Sequence, residues 1–254
     1  MPKMSSQQLY RFFLVFVSFF GLVFVTFPAV YQLQIEENFQ WRKPVVGSIY
    51  GLVCLLGIIA VFFPSHCSTI FQTDTIENRK DPIIAKSSKT FHHTTTILGL
   101  RIQHGHHSNC EGFAAHEFQF ADKTFCTACM GLFLGAILSL IGTIAYFFLG
   151  WNMGENIALF LFLGAASIGL GLLQYMFFDI QWRVVRLVLN VLFVVGTFFV
   201  MTSVDIAVNS LILDFFVILL ATFWLFTRIV LSKHVHREIC QTCSSKCQGY
   251  KKEK

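Results

Sequence analysis

The stretch from His106 to Gly131, HHSNCEGFAAHEFQFADKTFCTACMG, places His106, His107, Cys110, His116, Cys126 and Cys129 within 26 residues. Thiolates and imidazoles are the ligands of closed, four-coordinate zinc sites. Cys110-x5-His116-x9-Cys126-x2-Cys129 offers three thiolates and one imidazole, a complete tetrahedral set. His104, His106 and His107 are alternates for His116, or ligands for a second ion. The same residues admit two other readings. Cys126 and Cys129 form a Cys-x-x-Cys pair that can serve as a redox dithiol. They are also small enough to act as plain apolar residues at a helix start, with the histidines solvated in a loop.

A second cluster lies near the other end of the sequence. Cys240-x2-Cys243-x3-Cys247, with His234 or His236 just before it, again amounts to three thiolates and an imidazole. It fits a second zinc ion or half of one site shared with the loop. Three cysteines at this spacing also hold part of an iron–sulfur cluster when a fourth thiolate is supplied from elsewhere. Free thiols in a tail, lipidated or not, are the bland alternative. One further chemical candidate is Asp214, a carboxylate inside an apolar run. Such a group is a functional candidate by default, as proton carrier or ion ligand. No intramembrane Lys or Arg is expected to pair with it. Gln174 and Asn190 are the other polar residues at depth.

The elements that must position these groups are membrane spans. The chain has 254 residues, 55% hydrophobic and 13% charged, with 30 phenylalanines and a mean hydropathy of +0.63. Soluble domains carry about 25% charged residues. Six runs approach the ~20 residues needed to span a bilayer: Phe12–Tyr31, Pro44–Phe63, Met130–Leu149, Ile157–Phe178, Val184–Met201 and Ser210–Leu231. The fifth is the shortest. The first is too long for a signal peptide's apolar region and lacks a cleavage site, so it is expected to stay as a helix.

Orientation follows from Lys and Arg. With six spans, seventeen of the nineteen basic residues fall on one side. They lie before the first span, in the loop 64–129, at Arg183 and Arg186, and from Arg228 onward. The other side receives Arg42 and Lys43, offset by Glu36, Glu37, Glu155 and Asp205. Both termini and the Cys/His loop are therefore expected in the cytosol of a multi-pass cell-membrane protein. Removing one span would scatter the charges over both sides. Anionic lipid headgroups account for the net charge of +5 without nucleic acid.

The expected fold class is an all-α membrane protein: a six-helix transmembrane bundle with a small cytosolic Cys/His module containing short β-strands. Its parts are 1–63 with two helices, the loop module 64–129, 130–231 with four helices, and a basic Cys/His tail 232–254. Within the loop, Thr94–Ile102 is β-branched and reads as a strand, and Glu117–Cys126 reads as a hairpin. So small a module has little core, and a structural metal would supply folding energy in its place. Cytosolic thiols stay reduced, which favours metal over disulfide. Gly131-x-x-x-Gly135 and the small residues Gly164, Ala165, Ala166, Ser167, Gly169 and Gly171 suit close helix packing, within the bundle or in a homo-oligomer.

The run Phe125-Cys126-Thr127-Ala128-Cys129-Met130-Gly131-Leu132-Phe133-Leu134-Gly135 resembles a family of small prokaryotic membrane proteins of unknown function. That family carries Cys-x-x-Cys-x-Gly-x-x-x-Gly at the head of a transmembrane helix, with a Cys or His upstream. The resemblance implies a membrane-abutting Cys/His site and a prokaryotic source, but no reaction. The family usually has an Arg between the cysteines. Thr127-Ala128 stands there here, so any anion-binding role of that Arg does not transfer.

Several functions lack their motifs. Phe120 stands where a His-Glu-x-x-His protease starting at His116 needs its second His, and there is no phosphate loop or nucleophile elbow. The sequence points first to a scaffold or sensor with a cytosolic zinc site and a cytosolic protein partner. Its alternatives are a membrane-bound redox or metal-dependent enzyme and, third, a metal or ion transporter using Asp214.

Overall fold

A computed structural model of the chain describes residues 6–31, 33, 39–62, 93–97, 100–104, 116–120, 123–151, 154, 156–176, 180 and 182–242. Of 62, 93–97, 100–104, 117–120, 123–125, 237 and 240–242 it describes only the backbone. Six helices carry the fold: α1 Ser6–Val30, α2 Arg42–Phe62, α3 Thr127–Thr143, α4 Ile157–Leu173, α5 Arg183–Val208 and α6 Leu211–Thr242. A π-helical turn, Ile144–Phe148, extends α3. Five of these helices are long and apolar enough to cross a membrane, and α4 is a shorter apolar helix of 17 residues.

The helix lengths differ from expectation in an instructive way. The run Ile157–Phe178 gives the shortest helix, because α4 ends at Leu173 in a turn where Gln174 Nε2 donates to Gly171 O at 2.9 Å. The run Val184–Met201, expected to be shortest, lies within a helix of 26 residues. Its extra turns contain Thr202, Ser203 and Asp205, all buried. Each finds a partner inside the bundle: Thr202 Oγ1 donates to Phe198 O, Ser203 Oγ to Ile157 O, and Asp205 binds Arg42. Buried polar groups with partners cost little, so the helix continues through them. The segment 202–209, expected as a loop, is therefore mostly helix. Only Asn209 and Ser210 separate α5 from α6, and Asn209 takes the left-handed conformation (φ 59°) that Asn tolerates as a helix terminator. At the other end α6 runs past Leu231 to Thr242, so the tail begins as helix.

Two antiparallel ladders accompany the helices. β1 His93–Ile97 pairs with β2 Leu100–His104, and β3 Glu117–Phe120 pairs with β4 Lys123–Cys126. The segment Thr94–Ile102, expected as one strand, is thus divided between two, with Leu98-Gly99 between them.

α5 is the central element, packed chiefly on α4 and α3 and also on α1 and α6. Glycine makes the closest approaches. A Cβ on Gly131 would lie 2.7 Å from Leu187 O, and one on Gly164 2.8 Å from Gly196 O. These small-residue faces are used within the bundle. Polar pins cross the same layer: Tyr50 Oη to Thr197 Oγ1 at 2.9 Å, Ser18 Oγ to Thr227 Oγ1 at 3.3 Å, and Trp224 Nε1 to Ser18 O at 3.0 Å. Large apolar side chains stay exposed along the outside, among them Phe13, Phe16, Phe20, Phe24 and Phe27 on α1. Such a girdle fits a lipid environment.

Candidate functional site

α5 begins at Arg183 and ends at Val208, so its two ends define two ends of the bundle. Nineteen residues from Arg186 to Asp205 at ~1.5 Å each separate them by about 28 Å, close to the ~30 Å hydrocarbon thickness. A polar cluster sits at each end.

The first cluster lies where α3 and α5 begin and α6 finishes. The β3–β4 register sets Glu117 opposite Cys126, and the Thr127 amide donates to His116 O at 2.9 Å. His116 is thereby clasped against the head of α3. Cys126 is the N-cap of that helix, with extended backbone (φ −72°, ψ 119°) and no side-chain cap bond. Cys129 follows in the first turn, and neither thiol is in a disulfide. Residues three apart on a helix have Cβ atoms about 5–6 Å apart. Both sulfurs can then reach one zinc ion at ~2.3 Å, whereas a disulfide would need the two Cβ atoms drawn in to about 3.5–4.5 Å.

The end of α6 meets this point from the other side. His236 Nε2 lies 3.2 Å from His116 Nδ1, with ring centroids 5.0 Å apart. Loop and tail, separated by more than a hundred residues, meet through two imidazoles. Arg186 on α5 completes the group. Its Nη1 lies against the His116 ring, 2.8 Å from Nδ1 and 2.9 Å from Nε2, and its Nη2 donates to Ile180 O at 2.8 Å. Behind it, Asn190 Nδ2 donates to Arg186 O at 2.6 Å. Arg228 Nη2 donates to Asn190 Oδ1 and to Tyr175 Oη at 2.5 and 3.0 Å. Arg11 donates to His234 Nδ1 at 3.0 Å, and Glu238 approaches the same nitrogen at 3.3 Å. Among residues whose side chains are described, Glu238 is the one carboxylate at this end.

Of the residues the sequence singled out, the structure brings together the rings of His116 and His236, while Cys126 and Cys129 stand at the head of α3, which the Thr127 amide ties to His116 O. His104 is the last residue of β2, with its backbone opposite His93. Cys240 lies near the end of α6, four residues after His236. His106, His107, Cys110, Cys243 and Cys247 lie outside the described residues. Among the described residues, no group of three or more His, Cys, Asp or Glu side chains is already arranged to hold a metal ion.

No family model, curated protein or solved structure matches the chain. Function must therefore be read from the two clusters themselves.

The second cluster lies at the opposite end, and it corrects the expectation that Asp214 has no basic partner. Arg42 Nη1 lies 2.7 Å from Asp214 Oδ2, and Arg42 Nη2 lies 2.8 Å from Asp205 Oδ1. All three residues are buried. Tyr146, carried inward by the π turn of α3, donates its hydroxyl to Asp205 Oδ2 at 2.5 Å. Lys43 Nζ stands 4.9 Å above the Tyr146 ring. A cleft of about 270 Å³ opens here, lined by Arg42, Lys43, Tyr146, Trp151, Asp205 and Asn209 among others. One guanidinium has enough donors to bridge two carboxylates. It therefore ties the start of α2 to the end of α5 and the start of α6. Sequence reasoning missed Arg42, Asp205 and Tyr146 as site residues. The available signal was that Arg42 and Asp205 fall on the same side as Asp214, each at the edge of an apolar run.

Proposed function

We propose that the chain is a multi-pass cell-membrane protein whose cytosolic loop and tail close together on one zinc ion, acting as a scaffold or metal sensor for a cytosolic partner. The observation that carries this reading is the 3.2 Å contact between His116 and His236 beside the Cys-x-x-Cys head of α3. Cys126, Cys129, His116 and His236 supply two thiolates and two imidazoles, a common structural zinc set. Cys110 and Cys240 are the nearest reserves in sequence. Bound zinc would supply folding energy to a module with little apolar core. A cytosolic placement of this end is supported by its charge: Arg11, Arg183, Arg186, Arg228 and Lys233 gather here, as the positive-inside rule requires. The Cys-x-x-Cys-x-Gly-x-x-x-Gly resemblance, with its membrane-abutting Cys/His site, agrees with this reading.

The test is metal content of the full chain, purified in detergent under reducing conditions and measured by elemental mass spectrometry. About one zinc per chain is expected, lost in the Cys126→Ala/Cys129→Ala variant. Equal zinc in wild type and variant would overturn the assignment.

A redox reading is favoured by one specific observation, the placement of Cys126 at the N-cap of α3. A helix N-terminus stabilises an anion such as a thiolate. On that reading Cys126 and Cys129 cycle between dithiol and disulfide. Thiol trapping in intact cells would then catch both oxidation states, whereas the zinc reading expects the reduced pair throughout.

A further inference from the structure

We infer that the cleft beside Arg42 and Asp205 is a binding site for a small organic ammonium ion, and that the ammonium of Lys43 is its built-in occupant. This site is independent of the zinc reading, because the cleft and the Cys/His cluster lie at opposite ends of α5.

Charge is the first argument. Asp205 and Asp214 are buried carboxylates that share one buried guanidinium, with Arg42 Nη2 on Asp205 Oδ1 and Arg42 Nη1 on Asp214 Oδ2. Buried charges need compensation close by. In the chain segments that flank these helix ends, 31–43, 149–156 and 202–214, Arg42 and Lys43 are the only basic residues, against Glu36, Glu37, Glu155, Asp205 and Asp214. With Arg42 divided between two carboxylates, Lys43 is the cation left to balance the second. Asp205 is the carboxylate that lines the cleft. Its Oδ2 accepts from Tyr146, while its Oδ1 has the ionic contact with Arg42 and no hydrogen-bond donor among the described residues.

Lys43 meets this demand loosely. Its side chain is exposed and reaches no carboxylate among the described residues. Its Nζ stands 4.9 Å above the Tyr146 ring, the position a bound cation takes over an aromatic face. A lysine on a flexible stem can swing into water, so a free ammonium ion can compete for the same place. The walls favour an organic cation over a bare ion. Tyr146 presents its ring, Trp151 adds a second aromatic side chain, and about 270 Å³ comes close to the ~300 Å³ at which small-molecule sites begin. The backbone is shaped for this: the π turn Ile144–Phe148 carries Tyr146, and the Trp151 amide donates back to Ala145 O at 2.9 Å. Such turns recur at functional sites.

The test is calorimetric titration of the full chain, purified in an uncharged detergent, for wild type and Lys43→Gln. The probes are choline, its uncharged isostere with carbon in place of the nitrogen, and inorganic phosphate. Lys43 is exposed, so the substitution should leave the bundle folded, which an unchanged thermal midpoint checks. Choline is expected to bind saturably to Lys43→Gln, about fivefold or more tighter than to wild type, and the isostere to bind neither protein. No saturable choline binding to Lys43→Gln, equal choline affinity in the two proteins, or equal binding of the isostere would overturn the inference. Phosphate binding to wild type that Lys43→Gln abolishes would overturn it as well, because Lys43 would then be the partner of an anion.

Discussion

Arg42 and Asp214 show what a single residue reveals in sequence and what it conceals. Asp214 was legible, because a carboxylate inside an apolar run needs a reason. Its partner was not, because Arg42 starts α2, far away in sequence, and looked like a loop charge at the membrane edge. The pairing changes the expected phenotype. Removing one member of a buried pair leaves a charge stranded and costs about 3–5 kcal/mol. Arg42→Gln strands two carboxylates and is expected to destabilise by at least that amount. Asp214→Asn leaves Arg42 on Asp205 and is expected to cost less. Chemical denaturation of the detergent-solubilised protein, followed by Trp fluorescence, gives the order. A milder loss for Arg42→Gln than for Asp214→Asn would contradict a shared guanidinium. Ion transport through Asp214 would instead predict a stable Asp214→Asn protein with abolished flux.

At the scale of elements, the apolar runs located all six helices and misjudged their ends. Polar residues such as Thr202, Ser203 and Asp205 stop a hydropathy reading, but they do not stop a helix that offers each of them a partner. Gly131-x-x-x-Gly135 was legible as a packing face, while its partner was not: a spacing of four says that some helix comes close without saying which. The structure gives α5. An added Cβ would lie 2.7 Å from Leu187 O at Gly131 and 2.9 Å from Val191 O at Gly135. Backbone carbonyls cannot step aside as side-chain tips can. Gly131→Ala and Gly135→Ala should each destabilise by about 1–3 kcal/mol. Gly57→Ala on α2, where a Cβ meets nothing within 4 Å, should be harmless. Thermal midpoints of the three variants in one detergent would show the contrast, and a loss at Gly57 matching that at Gly131 would contradict the packing.

For the whole molecule, charge predicts an orientation, and the helices place one polar cluster at each end of the bundle. α5 carries Arg186 at one end and Asp205 at the other, so the Cys/His cluster and the buried ion pairs face opposite sides of any membrane the helix crosses. Tags placed after Lys254 and within 150–156 should be reached by protease from opposite sides of sealed vesicles. Digestion of both from one side would undo the topology. The loop and tail clusters were each visible as ligand-rich segments. Contact between them was only one option in the sequence, because the span of α6 alone sets how far His236 reaches, and hydropathy ended that helix at Leu231. Its continuation to Thr242 carries His236 to His116. The measurement that tests this most directly is X-ray absorption at the zinc edge on the purified full chain. A zinc ion shared by loop and tail would show mixed ligation, with about two sulfurs near 2.3 Å and two nitrogens near 2.0–2.1 Å, losing nitrogen scattering in His116→Ala/His236→Ala. An all-sulfur shell, or one unchanged in that variant, would contradict it.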